Sequence, residues 1–356
     1  MPDAVVGDLN SSSSRADAVR GALDSVPSRT AIACAPMKPS PLTRRQLLLN
    51  ASAVGMASLA GPLALARTAR RQAPAAAAGT LTIGGDLVVN RMGFGAMRLT
   101  GPGIWGEPKD AVEARRVLRR AVELGVDFID TADAYGPEVS ERLIKEALHP
   151  YPAGLVIATK GGSLRPGPDQ WIQDGSPAHL REACEASLKR LKLERIDLYQ
   201  LHRIDAKVPV ADSLGELARL QKEGKIRHIG VSQVSVDELA TARRIVPIVS
   251  VQNRYNAADR SSAAVLAVCE RERLAFIPWA PIARGSADKL EADSGHALEQ
   301  VARAHGVNVL QAALAWLLAK SPVMLPIPGT SSVTHLEEDI AAARVRLTAA
   351  ELVALG

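Results

Sequence analysis

From residue 92 to residue 328 the chain repeats one unit: a short apolar run, a polar turn, then a stretch with apolar residues at helical spacing. Eight such runs stand at 92–95, 127–130, 156–160, 196–202, 226–232, 248–253, 275–279 and 324–328. Between them, 110–123, 176–191, 210–223 and 308–319 carry amphipathic helix patterns. Apolar runs alternating with helices imply parallel strands covered on both faces. Eight units predict an α/β chain closed into a (β/α)8 TIM barrel, for which one domain of roughly 250 residues suffices. Alternation over 80–89 around Gly84-Gly85-Asp86 adds a short N-terminal hairpin. The rival, an open doubly wound sheet, needs GxGxxG between a strand and a helix. The nearest approach, Gly93-Phe94-Gly95-Ala96-Met97-Arg98, ends in arginine and runs into a loop, which argues against it.

A barrel of this kind keeps its chemistry where strands end and loops begin. Asp130, Lys160, His202, Ser232, Gln252, Asn253 and Trp279 each close an otherwise apolar run. A charge at the end of a core strand is costly unless paired. Several such residues on one rim therefore predict a site.

The net charge of +5 belongs to one end of the chain. Residues 1–71 hold nine basic and four acidic residues, and the remainder is balanced, 34 against 34. A neutral body gives no electrostatic footprint for nucleic acid. Cys34, Cys184 and Cys269 match no zinc spacing, so no metal is expected, and the last two read as small buried apolar residues. Residues 1–36 are polar and Ser-rich, a disordered or over-extended start. In 37–66, Arg44-Arg45 precede an uncharged apolar run that ends in Ala64-Leu65-Ala66. This segment resembles a twin-arginine export signal, which implies a periplasmic or extracellular destination, or a cytoplasmic one if the signal is unused. Its Gly, Pro and Asn content makes it a poor membrane anchor. Residues 67–79 read as a linker, and 80–356 as the barrel.

Phe128-Ile129-Asp130-Thr131-Ala132-Asp133-Ala134-Tyr135-Gly136 resembles the signature of the aldo-keto reductases. Ala158-Thr159-Lys160 and Leu198-Tyr199-Gln200-Leu201-His202 are similar to the next two signatures, in the same order and on successive strands. The resemblance spans about residues 80–356. It implies a reductase that turns an aldehyde or ketone into an alcohol with hydride from NADPH, or from NADH as the alternative. It also implies a catalytic tetrad of Asp130, Tyr135, Lys160 and His202. The residue types suit that chemistry. A phenol keeps its proton at neutral pH. A neighbouring ammonium favours its release. An aspartate compensates the buried ammonium. A histidine can hydrogen-bond the carbonyl oxygen.

The same resemblance places the cofactor. Ser232 and Gln233, in Gly230-Val231-Ser232-Gln233, and Gln252 fall where the family holds the nicotinamide carboxamide, although the family often has Asn at the position of Gln233. Trp279 falls where an aromatic ring stacks on nicotinamide. The turn Gly329-Thr330-Ser331 opens a helix carrying His335, Glu338 and Asp339, a suitable phosphate cradle because helix N-termini expose free N–H groups. Many relatives have Lys in place of Gly329 and Arg in place of His335, so Ser331, His335 and Arg284 are expected to take over the 2'-phosphate. Trp105 and Trp171, in rim loops, suggest a flat or apolar substrate. The segments 95–106 and 329–336 resemble the pyridoxal reductase branch, making pyridoxal a candidate. Two rivals stand beside this reading. One is a cofactor-bound, non-catalytic protein of the channel β-subunit type. The other is an isomerase or aldolase using Lys160 as a Schiff-base nucleophile.

Overall fold

The computed structural model describes residues 73–283 and 296–356. The segments 1–36 and 37–66, and Arg284, lie outside the described residues. Seven parallel strands follow one another around a single sheet. They are β3 (Phe94–Gly95), β4 (Phe128–Asp130), β5 (Val156–Gly161), β8 (Ile196–Leu201), β9 (Ile226–Ser232), β10 (Ile248–Gln252) and β11 (Ala275–Phe276). The antiparallel pair β6 (Ser163–Leu164) and β7 (Ile172–Gln173) stands apart in the loop after β5.

The eighth run closes the barrel without forming a regular strand. Met324 pairs with Phe276, and Leu325 N–H donates to the Phe276 carbonyl at 2.9 Å. On the other side, the carbonyls of Pro326 and Pro328 accept Gly93 N–H at 3.0 Å and Gly95 N–H at 3.1 Å. The two prolines have no N–H to give, so the run can accept from β3 but cannot build a full ladder. The (β/α)8 barrel expected from the eight apolar runs is the fold observed.

The hairpin of β1 (Thr80–Ile83) and β2 (Leu87–Asn90) stops the N-terminal end of the barrel. Ile83, Leu87 and Val89 are buried in one cluster with Phe128, Val156, Leu198, Ala275, Ile277 and Leu325. Its turn needs glycine: Gly84 has φ +61°, and a Cβ there would fall 2.4 Å from the His228 ring. Within the stretch read as a linker, Pro74–Ala78 form a 3-10 turn with Ala75 fully buried and its N–H on the Leu124 carbonyl at 3.0 Å. The packed body therefore begins before residue 80, because an alanine-rich turn can bury its small faces against a neighbouring helix.

The outer helices begin at caps that the sequence carries. Helix α1 (Ala111–Glu123) starts at Asp110, whose carboxylate accepts the N–H groups of Val112 and Glu113, both at 2.9 Å. Asn308 and Gln311 form a reciprocal capping box on the helix Val309–Lys320. Cys184 and Cys269 are free and fully buried, and burial pushes both thiols up to about 12.

Candidate active site

With one barrel end stopped by the hairpin, the C-terminal rim opens on a cavity of about 1010 Å³. Asp130 ends β4, Lys160 lies near the end of β5, and His202 follows β8, while Tyr135 sits in the turn after β4. The closing geometry centres on Lys160, which is fully buried. Its Nζ donates to Asp130 Oδ1 at 2.6 Å, to the Thr131 carbonyl at 2.7 Å and to the Tyr135 hydroxyl at 3.2 Å. Three N–H groups thus meet three acceptors, and no donor is left unpaired. Burial works against the ammonium, but Asp130 and Tyr135 outweigh it and hold Lys160 above its ordinary value. A lysine so placed is neither accessible nor deprotonated, which removes the physical basis of the Schiff-base rival.

Burial pushes the Tyr135 phenol above its ordinary value, and the Lys160 charge pulls it back in part. The phenol is protonated at neutral pH and one hydrogen bond from a fixed cation. His202 stands edge-on to Tyr135 with ring centroids 5.8 Å apart. Burial, then the charges of Lys160, Arg203 and Arg165, push its pKa well below the ordinary range, so the imidazole is neutral. Its Nδ1 is buried without a partner among the described residues. All four tetrad candidates converge within one contact shell.

Asp130 has two further partners. Its Oδ2 accepts Gln252 Nε2 at 2.8 Å and Gln200 Nε2 at 3.1 Å. Gln252, expected as a carboxamide contact, thus has its amide nitrogen committed to Asp130, although it still lines the cavity. Gln200 was not singled out in the sequence; it sits two residues before His202 on β8, so its side chain points to the same barrel interior.

Along the groove, Ser232 Oγ donates to the Gln252 carbonyl at 2.9 Å. Gln233, at φ +56°, turns its Oε1 onto Trp279 Nε1 at 2.7 Å. Gln233 therefore fixes the half-buried Trp279 ring, and both line the cavity. Beyond them, Gly329 and Ser331 also line it, whereas Thr330, His335, Glu338 and Asp339 do not. Thr330 Oγ1 accepts Ser332 N–H at 3.1 Å, an internal turn bond. His335 and Glu338 are exposed on the helix Val333–Ala341, and Asp339 is buried beneath it, its carboxyl pushed up to about 7 by burial and then Glu338. Of the expected cofactor residues these four thus stand outside the cavity lining, Thr330 in its own turn and the other three on the helix.

The proposed phosphate cradle also has an occupant that the sequence did not announce. Glu113, on α1, accepts Val333 N–H at 3.2 Å and lines the cavity. The glycine at 329 has a steric cause. A Cβ there would lie 2.3 Å from the Gly95 carbonyl oxygen, across the seam that closes the barrel.

Of the two rim tryptophans, Trp171 lines the cavity and Trp105 does not; Ile104 takes its place there. The Trp105 backbone pairs with Gly136, and its ring lies 5.9 Å from the Arg165 guanidinium carbon. Met97, Ile104 and Trp171 pack around Ala132, Ala134 and Tyr135, giving the reacting end an apolar wall.

A closed barrel with a buried lysine–aspartate pair beneath a protonated tyrosine and a neutral histidine defines an oxidoreductase site of the carbonyl-reducing class. Residues 91–355 match the profile of the aldo/keto reductase family, and the chain belongs to that family. It is 52% identical over 274 residues to an uncharacterized oxidoreductase of Schizosaccharomyces pombe, covering 77% of this chain and 88% of the relative. It is 42% identical over 275 residues to pyridoxine 4-dehydrogenase of Escherichia coli, covering 76% and 94%. An aldo-keto reductase from Klebsiella pneumoniae, solved in complex with NADPH, superposes with a TM-score of 0.66 at 25% identity, covering 78% of this chain and 93% of that one.

Proposed function

We propose that this chain reduces an aldehyde to its alcohol with NADPH, or with NADH as the second choice, and that a pyridoxal-type ring aldehyde is its substrate class. The observation that carries the reading is Lys160 Nζ, held 2.6 Å from Asp130 and 3.2 Å from the Tyr135 hydroxyl at the floor of the cavity. The similarity to pyridoxine 4-dehydrogenase supports the substrate class. The NADPH-bound neighbour supports the cofactor.

The groove fits a dinucleotide. It runs from Tyr135 past Ser232 and Trp279 to Gly329 and Ser331. Trp279 would flank the nicotinamide, with Ser232 and Gln233 beside it. Ser331 and the Glu113-bound turn would meet the phosphate end. When bound, the reduced nicotinamide supplies a hydride to the carbonyl carbon. Tyr135 gives its proton to the carbonyl oxygen as negative charge develops there. Lys160 stabilises the phenolate left behind, and Asp130, with Gln200 and Gln252, keeps Lys160 in place. Neutral His202 orients the carbonyl oxygen without competing as an acid. Met97, Ile104 and Trp171 exclude water from the reacting atoms.

The test is dinucleotide oxidation by the full chain with pyridoxal and a set of simple aldehydes. Turnover with NADPH faster than with NADH, and pyridoxal among the best substrates, is expected. Tight dinucleotide binding with no turnover of any aldehyde would favour the non-catalytic, channel β-subunit type of role instead. The twin-arginine-type segment 37–66 supports an exported location, and sequencing the N-terminus of the secreted protein tests it; a start near Arg67 is expected. Among the described residues no helix is long and apolar enough to cross a membrane.

A further inference from the structure

One guanidinium stands behind three walls of the cavity. Arg165 follows β6, is 7% exposed and does not itself line the cavity. Its Nη1 donates to the Ala134 carbonyl at 3.2 Å, its Nη2 to the Gly103 carbonyl at 2.7 Å and its Nε to the Gln170 carbonyl at 2.7 Å. The residues immediately after these three carbonyls are Tyr135, Ile104 and Trp171, and each of them lines the cavity. The three carbonyls come from three different loops, those after β3, β4 and β6. The guanidinium carbon also lies 3.9 Å from the centroid of the Trp171 ring and 5.9 Å from that of Trp105. Trp171 in turn stands edge-on to His202 at 5.7 Å and to Tyr135 at 6.4 Å.

We infer that Arg165 is the positioning residue of the substrate pocket: it fixes Ile104 and Trp171 against the turn whose Tyr135 is already held by Lys160, and so selects a flat, ring-bearing aldehyde. The inference rests on reading the cavity as the site of carbonyl reduction. The chemistry asks for arginine. Its planar fork sends donors in several directions while its face remains free to stack on an indole. Lysine offers three donors from one point and no face, so it can hold one loop but not three and a ring. A buried guanidinium carries a desolvation cost, which its backbone acceptors, a longer bond to the Gly167 carbonyl at 3.5 Å among them, and the stacked ring offset. Met97, Ile104 and Trp171 give the pocket an apolar, partly planar wall at the reacting end. A ring-bearing substrate uses that wall along its length, and a short aliphatic aldehyde reaches Tyr135 and His202 without it.

The experiment compares the wild-type chain with Arg165→Lys, reading the dissociation constant for NADPH together with KM and kcat for pyridoxal and for propanal. In the variant, NADPH binding stays within about twofold, because the guanidinium touches none of the groove from Ser232 to Ser331. KM for pyridoxal rises about tenfold or more, whereas propanal changes by about threefold or less, since small misplacements at a positioning wall cost the substrate that leans on it. Equal losses for the two aldehydes, or no loss for either, overturn the inference. A wild-type chain that reduces neither aldehyde defeats the reductase reading itself. An active wild type with an unselective Arg165→Lys defeats only the role of Arg165. If Arg165→Lys does not fold, Arg165→Gln carries the test, because its amide can keep a carbonyl bond but has neither the fork nor the charge. Selective loss of pyridoxal then supports the inference, and equal treatment of both aldehydes contradicts it.

Discussion

Two carboxyl groups near the site show how a single residue's surroundings decide what it does. Glu113 lies against a helix N-terminus that would otherwise welcome a phosphate, and its carboxylate competes for the same N–H. Glu113→Gln removes a like charge from the phosphate end of the groove, so the dissociation constant for NADPH should fall about threefold, with less change for NADH. Fluorescence titration checks this, and an unchanged NADPH constant would contradict it. Asp133, in the same turn as Tyr135, has a buried Oδ1 with no partner among the described residues, and burial followed by the charge of Glu141 pushes its carboxyl up to about 8. Between about pH 4 and pH 8 the unfolded chain therefore loses this proton while the folded chain keeps it, and stability falls as pH rises through that window. Asp133→Asn abolishes the effect. Urea denaturation at pH 5 and pH 8 should show the variant gaining on the wild type at the higher pH; a difference independent of pH would count against it. Glu113 and Arg165 were not legible in the sequence. Each acts on chain segments far from itself, and neither sits in a motif that announces its partner. Asp130, Lys160 and His202 were legible because each closes an apolar run, whereas Tyr135 was legible only through the resemblance of the motif 128–136 to the family signature.

Between the barrel strands, the helices are tied down by buried polar contacts as well as apolar faces. Glu141, on the helix Val139–Leu148, is fully buried and accepts Thr159 Oγ1 from β5 at 2.6 Å and Arg190 Nε from the helix Pro177–Leu191 at 2.7 Å. One carboxylate thus ties two helices to the strand that carries Lys160. Arg190→Met leaves that carboxylate buried and short of its cation, and should cost about 3 kcal/mol of stability. Chemical denaturation measures it, and a loss below about 0.5 kcal/mol would show that the pair is no more than an ordinary surface ion pair. The helix starts were readable from Asp110, Ser176 and Asn308, since short polar side chains there accept the first free N–H groups. The eighth run was readable as a strand by its apolar character, but not its irregular ladder, which follows from Pro326 and Pro328. The turn at 74–78 was hidden because alanine and proline carry no helical periodicity to read.

For the barrel as a whole, closure is set at the seam between the first strand and the eighth run. Gly95 and Gly329 face each other there so closely that a Cβ on Gly95 would meet the Ile327 carbonyl oxygen at 2.7 Å and one on Gly329 the Gly95 carbonyl oxygen at 2.3 Å. Arg91 bonds the Met324 carbonyl at 3.2 Å, the Leu318 carbonyl at 2.7 Å and the Ser321 carbonyl, fastening the same seam from the hairpin side. Gly329→Ala should therefore destabilise the barrel by about 2 kcal/mol through overpacking against backbone. Gly215→Ala, in the helix Val210–Lys222 with its nearest atom 4.0 Å away, should be neutral or slightly stabilising. Thermal denaturation of the two variants checks the contrast, and equal effects would deny the seam its part. The barrel was legible as a whole because its eight apolar runs are spaced for it; the seam was not, since glycines read only as turn signals until their neighbours across the barrel are known. The central claim, that Tyr135 delivers a proton over a fixed Lys160, is tested most directly by Tyr135→Phe in the full chain, following NADPH oxidation with an aldehyde substrate. Turnover should fall by about a thousandfold while NADPH binds as before. Retained turnover in Tyr135→Phe would contradict the account at its core.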